Sequence, residues 1–256
     1  MRPWTNIGLT ICSMLIALAA ATQPSALTAA STVDQILDAL DARGQNLADF
    51  SASVKLADEN DATGDATISS GKLLFQRTPD GDTRIRIAFD KKQLDEKVFD
   101  QNHTYTLDAG WLTERDYDQR REIRQQVLKP GEKLDLFKLG KGPFPLPIGQ
   151  KKEDVENIFD VTKVDPAKDD PPSSVHLRLT PKSGTQYAHD FSTVDVWVDL
   201  TTAMPVRIQT LDANQTTVKT TDFSSVKLNA GLSDADFHEP PLPSGWDEVT
   251  EPYDQQ

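Results

Sequence analysis

The sequence predicts a mainly β fold with few helices, an α+β protein. Its expected form is one curved antiparallel sheet, or unclosed β-barrel, covered by an N-terminal helix and a mid-chain helical, proline-rich lid. Three observations point there. Most of the chain reads as short runs in which apolar and polar residues alternate, the period of a strand with one wet face. One strong helical stripe stands ahead of them. Near the middle, Gly142-Pro143-Phe144-Pro145-Leu146-Pro147-Ile148-Gly149 breaks the pattern with alternate prolines between large apolar residues.

The first thirty residues resemble an export signal. Arg2 is followed by an apolar core over Ile7–Ala21 that is too short for a confident membrane span, and then by small residues. Cleavage after Ala21 or after Ala30 fits; a retained anchor is the alternative. Cys12 is the only cysteine and lies in the apolar core, so the mature chain has no disulfide, thiol nucleophile or thiolate metal site. Residues 31–256 then form a single domain of about 225 residues, a normal size for one β-barrel. The net charge of −13 argues against a basic face for nucleic acid or anionic membrane.

Thr32 and Gln35 are spaced for a capping box, and Val33, Ile36, Leu37 and Leu40 share one helical face that stops near Gly44. Strands follow. Phe50, Ala52, Val54 and Leu56 alternate with polar residues. Leu73 and Phe75 lie in Gly71–Arg77, and after the Pro79–Asp82 turn come Ile85, Ile87 and Phe89. Further strands are predicted through Tyr105, Trp111 and an exposed segment at 120–128. A short helix over 130–139 and a polar, helical stretch over 151–157 bracket the proline-rich loop, giving a lid at about 130–157. Strands resume at 158–164, 175–180, 191–200, 205–211 and 217–223. Val194, Val196 and Val198 share a face, with Val206 and Ile208 opposite across the turn at Thr201–Met204. Asp195 and Asp199 fall on the other face and are expected in solvent. The tail from Pro240 is proline-rich and acidic, and its last residues are expected to fray. The total is about ten strands.

The proline-rich loop admits two readings. It is a linker packed outside a core, or a cover over an apolar ligand surface. On the second reading Phe144, Leu146 and Ile148 join Phe50, Val54, Leu73, Phe75, Ile85, Ile87, Phe89, Val196, Val198, Val206 and Ile208 in lining a ligand cavity. Arg77 repeats the period of Leu73 and Phe75 and so faces the same way. It either snorkels to solvent or donates to the loop's carbonyls.

No motif with a catalytic mechanism appears. His103, His176, His189 and His238 make no metal-binding pair, and there is no nucleophile elbow or phosphate loop. No catalytic residue, metal or cofactor is assigned. His103 and His176 are read as surface or satisfied strand residues, and His238-Glu239 as loop.

The order of parts resembles the periplasmic outer-membrane lipoprotein carrier family, the LolA-like proteins. The likeness rests on the capped helix, Gly71-Lys72-Leu73-Leu74-Phe75-Gln76-Arg77, the segment at 142–149, Leu179-Thr180-Pro181-Lys182, Val196-Trp197-Val198-Asp199 with Met204-Pro205-Val206, and Asp236-Phe237 through Trp246. It departs at Thr78, which separates Arg77 from Pro79, and in the proline-rich lid, where a helix would be expected. The resemblance implies an unclosed barrel with a covered apolar hollow and a lid held by Arg77. It also implies a periplasmic, monomeric carrier of lipoprotein acyl chains, loaded by an inner-membrane release complex and unloaded to an outer-membrane acceptor. A sensor of lipid or misassembled envelope proteins on the same fold is the second expectation, and an extracytoplasmic hydrolase the third.

Overall fold

The computed structural model describes residues 26–78, 81–129 and 150–253. The export segment through residue 25, the helix expected over 130–139 and the loop at 142–149 lie outside the described residues.

The chain opens with α1 (Val33–Gln45). Thr32 and Gln35 form the expected capping box: Gln35 N–H donates to Thr32 Oγ1 at 3.3 Å, and Thr32 N–H to Gln35 Oε1 at 2.9 Å. This satisfies two of the donors that a helix start leaves unpaired. Gly44 lies inside the last turn rather than beyond it. Six strands follow: β1 (Asp49–Asn60), β2 (Asp65–Arg77), β3 (Thr83–Leu94), β4 (Lys97–Asp108), β5 (Trp111–Asp116) and β6 (Arg121–Gln126). After α2 (Lys152–Ile158) come β7 (Phe159–Val164), β8 (Ser174–Pro181), the short α3 (Tyr187–Asp190), β9 (Phe191–Asp199), β10 (Pro205–Asp212) and β11 (Thr217–Leu228). A final turn, α4 (Asp234–Phe237), precedes β12 (Asp247–Glu251).

The strands make one sheet in the order β12-β6-β5-β4-β3-β2-β1-β11-β10-β9-β8-β7. Its two end strands do not pair, so the predicted unclosed barrel is what forms. The concave side is the core. Phe50, Val54, Leu73, Phe75, Ile85, Ile87, Phe89, Val196, Val198 and Ile208 all lie in it, with Ile36, Leu37 and Ala39 of α1 packed among them. Phe50 and Phe75 stack with centroids 5.2 Å apart. Gly71 lies opposite a bulge at Asp90 in β3, and a Cβ there would sit 2.0 Å from Ala88 O. Only glycine allows that approach.

Two expectations need correction. Val206 does not face Val194, Val196 and Val198: the β9–β10 register shifts between Pro205 and Arg207, leaving Val206 half-buried in the bulge. Met204, 2% exposed, joins the core from the turn preceding the bulge. Asp195 is not in solvent; it is 4% exposed. His176 Nε2 lies 2.7 Å from its Oδ1, and Arg178 Nε donates to the same oxygen at 2.9 Å.

The C-terminal segment from Ala230 packs against the sheet. It crosses the convex face from β1 toward β6. Asp49 accepts from the N–H groups of Ala230, Gly231 and Leu232 at 2.7, 3.1 and 3.3 Å, and Gln76 Nε2 donates to Leu232 O at 2.7 Å. Arg84 pairs with Asp234. Glu239 then takes Arg86 and Thr106, and Trp246 packs edge-on against Tyr117 at 5.1 Å. Beyond that, β12 pairs in parallel with β6. The polar character of this segment, which reads as solvated loop, instead matches charged side chains on the back of the sheet.

Candidate functional site

Two hollows matter, one on each face. The first lies beneath the cover of the concave side. Helix α2 is latched to α1 by Lys152, whose Nζ sits 2.7 Å from Asp34 and 3.1 Å from Asp38, and whose N–H donates to Asp41 at 3.3 Å. Asp34, then Asp38, push the Lys152 ammonium well above its ordinary range. Between these helices and the sheet, Leu37, Leu40, Val155, Leu177, Leu179 and Val196 enclose an apolar gap of about 20 Å³. That is room for about one water, whereas a ligand pocket takes hundreds of Å³. Among the described residues, α1 packs directly against the apolar surface of the sheet. The reason is geometric: the apolar stripe of α1 lies inside the curve of the sheet, where Ile36 and Leu37 are 0% and 3% exposed.

Of the expected lining residues, the ten described residues named above, Phe50 through Ile208, are brought together. Val206 is displaced by the bulge. Phe144, Leu146 and Ile148 lie outside the described residues. Arg77 ends β2 opposite Thr83, half-buried, with its N–H donating to Ala48 O at 2.7 Å.

His103 is a satisfied strand residue, as expected. It stacks on Tyr105 at 4.7 Å, with Nε2 2.9 Å from Glu114. The His103 contact holds the Glu114 carboxyl below its usual range despite partial burial, while burial and then Glu114 push the Tyr105 hydroxyl up.

The second hollow was not foreseen. It is polar, about 490 Å³, and lies between the convex face of β3–β6 and residues 234–239. Arg84, Asp108, Trp111, Arg115, Glu122 and Arg124 face it. Arg115 and Glu122, 8% and 7% exposed, pair at 2.5 Å, and Arg124 lies over the Trp111 ring at 5.2 Å. Alternation along β3–β6 places these charges on one face, but only the tertiary path of the tail turns that face into a groove. Among the described residues, no group of three or more His, Cys, Asp and Glu is placed to hold a metal ion.

The described strands form one open sheet, with the N-terminal helix packed into its core. In sequence, residues 133–241, under half of the chain, match the family described as the MucB/RseB N-terminal domain. No curated protein matches. Among solved structures, a conserved protein from Thermus thermophilus covers 86% of this chain and 100% of its own, at 11% identity and a TM-score of 0.49. A LolA superfamily protein from Nitrosomonas europaea covers 82% and 99%, at 13% identity and a TM-score of 0.37. The MucA/MucB complex of Pseudomonas aeruginosa covers 80% of this chain, which spans 60% of that one, at 13% identity and a TM-score of 0.44.

Proposed function

We propose that this chain is an exported, non-enzymatic binding protein of the cell envelope that takes an apolar chain beneath its helical cover. The ligand is the acyl chain of a lipoprotein or another lipid. One observation carries this reading: ten predicted lining residues form a single apolar surface inside an unclosed sheet, closed over by helices rather than by strands.

The gap among the described residues has about 20 Å³ free, so an acyl chain enters there by displacing α1 or α2. Burying it is worth ~0.8 kcal/mol per methylene, on the order of 10 kcal/mol for a long chain. The latch opposing it is a set of water-screened ion pairs between Lys152 and α1. The balance favours exchange of the cover for the ligand, with the loop at 142–149 as part of that cover and Arg77 helping to hold it. The finer form of the proposal is a monomeric periplasmic carrier, loaded by an inner-membrane release complex and unloaded to an outer-membrane acceptor.

The test is native mass spectrometry of protein purified from its own host, with titration by a fluorescent acyl probe. Bound lipid, or saturable probe uptake competed by fatty acid, is the expected result. Absence of both removes the acyl-chain reading.

A regulatory form is the second reading, favoured by the match to the MucB/RseB domain over residues 133–241. There the displaced cover signals through a protein contact instead of delivering cargo. Capture of a membrane regulator, rather than lipoproteins, by the immobilised protein selects this form.

A further inference from the structure

We propose that the β6 edge is a docking site for an extended, acidic segment of a partner protein, and that β12 is a detachable strand of the chain's own that occupies it. The pairing of β12 with β6 is parallel, whereas every other described pairing in the sheet is antiparallel. A parallel neighbour cannot arrive by a hairpin. Here it is delivered by the long excursion across the convex face.

The strand is weakly embedded. Four of its five residues are exposed and only Val249, opposite Ile123, is half-buried. Asp247 N–H donates to Arg120 O at 2.9 Å, and among the described residues the side chains add one ion pair, Arg121 to Asp247 at 3.5 Å, with 47% and 70% exposure. The link from the anchored Glu239 runs through Pro240, Pro241, Pro243 and Gly245 and is itself held, by Arg115 at Pro240 O and by Trp246 against Tyr117, so these contacts do not depend on β12.

Strand addition draws affinity from main-chain hydrogen bonds and specificity from alternate side chains. Both are visible here. Arg121 and Arg124 are exposed on β6, while Glu122 is buried against Arg115, so the edge presents positive charge in a chain of net charge −13. Its present occupant, Asp247-Glu248-Val249-Thr250-Glu251, is acidic around one apolar residue. A partner segment of that character fits the same register. Because the resident strand is tethered, its local concentration is of order millimolar, so it competes with any free segment until it is drawn away.

Proline at 249 removes an N–H from the ladder, since the alternation of a parallel pair gives Val249 the role that Asp247 has two residues earlier. The test uses the full chain carrying Val249→Pro and a fluorescein-labelled peptide of residues 247–253. Fluorescence anisotropy is expected to show saturable binding to the variant and at least tenfold weaker binding to the wild-type chain. Adding Arg121→Glu to the variant is expected to weaken binding at least fivefold. Three results overturn the proposal: a folded variant that ignores the peptide, equal binding of a peptide with lysines at its acidic positions, or loss of the fold on Val249→Pro, which makes β12 a structural strand.

Discussion

Glu239 accepts a hydrogen bond from Arg86 Nε at 3.0 Å across a separation of 153 residues. The same carboxylate accepts from Thr106 at 2.8 Å and from Tyr117 at 3.3 Å, and lies 3.5 Å from Arg115. One side chain thus pins the C-terminal segment to β3, β4, β5 and the turn after it. Glu239→Ala leaves two largely buried guanidiniums short of a partner. The expected cost is about 3 kcal/mol in urea denaturation. A red shift of Trp246 fluorescence should accompany it as the segment lifts from Tyr117.

Gly71 tests the close approach of β2 to the bulge in β3. Its missing Cβ would fall 2.0 Å from Ala88 O and 2.7 Å from Phe89 Cα, both backbone atoms that cannot step aside. Gly71→Ala is expected to cost about 3 kcal/mol, the upper end for overpacking. Gly64, with φ +73° and nothing within 4 Å, supplies the comparison: Gly64→Ala should cost only about 1 kcal/mol.

Asp195 sets an acid limit on stability. Burial raises its carboxyl pKa, but His176 and Arg178 outweigh burial and hold it below the ordinary value. A depressed carboxylate contributes stability above its unfolded pKa, near 4, and loses it as pH falls through the folded pKa. Melting temperature should therefore drop steeply below about pH 4. Asp195→Asn should be less stable at neutral pH and show a shallower acid limb between pH 5 and about 3.

Leu37 connects the core to the proposed ligand. It is 3% exposed and borders the apolar gap. Leu37→Ala is expected to cost about 3 kcal/mol and to leave an enlarged, dry cavity. Under the acyl-chain reading, saturating acyl probe should then recover part of the lost melting temperature, because a ligand that binds only the folded state stabilises it. Recovery no greater than in the wild-type chain places ligand binding elsewhere.

Much of the architecture was legible because it rests on local rules. Alternation placed Phe50, Leu73, Phe75, Ile85, Ile87 and Phe89 on one inward face, and Thr32 with Gln35 marked the start of α1. What escaped depended on long-range partners. Val206 obeys the right period, but a bulge between Pro205 and Arg207 breaks its register. Asp195 and Glu239 look like solvent residues until His176, Arg178, Arg86 and Arg115 are seen to converge on them. The fill of the concave side is of the same kind: periodicity tells that the stripe of α1 is buried, not that it occupies the space a ligand would use.

Leu27 is 8% exposed within the core, and Lys163 Nζ reaches the carbonyls of Ala29 and Ser31 at 2.5 and 3.0 Å. A peptidase cutting after Ala30 would strip the core of Leu27 and leave Lys163 with one of its two acceptors. Under the proposed export reading, trimming after Ala21 instead would keep Leu27 in the core and both acceptors on Lys163. On that reading, intact-mass measurement of the protein purified from its own host is expected to show a chain that begins upstream of Leu27.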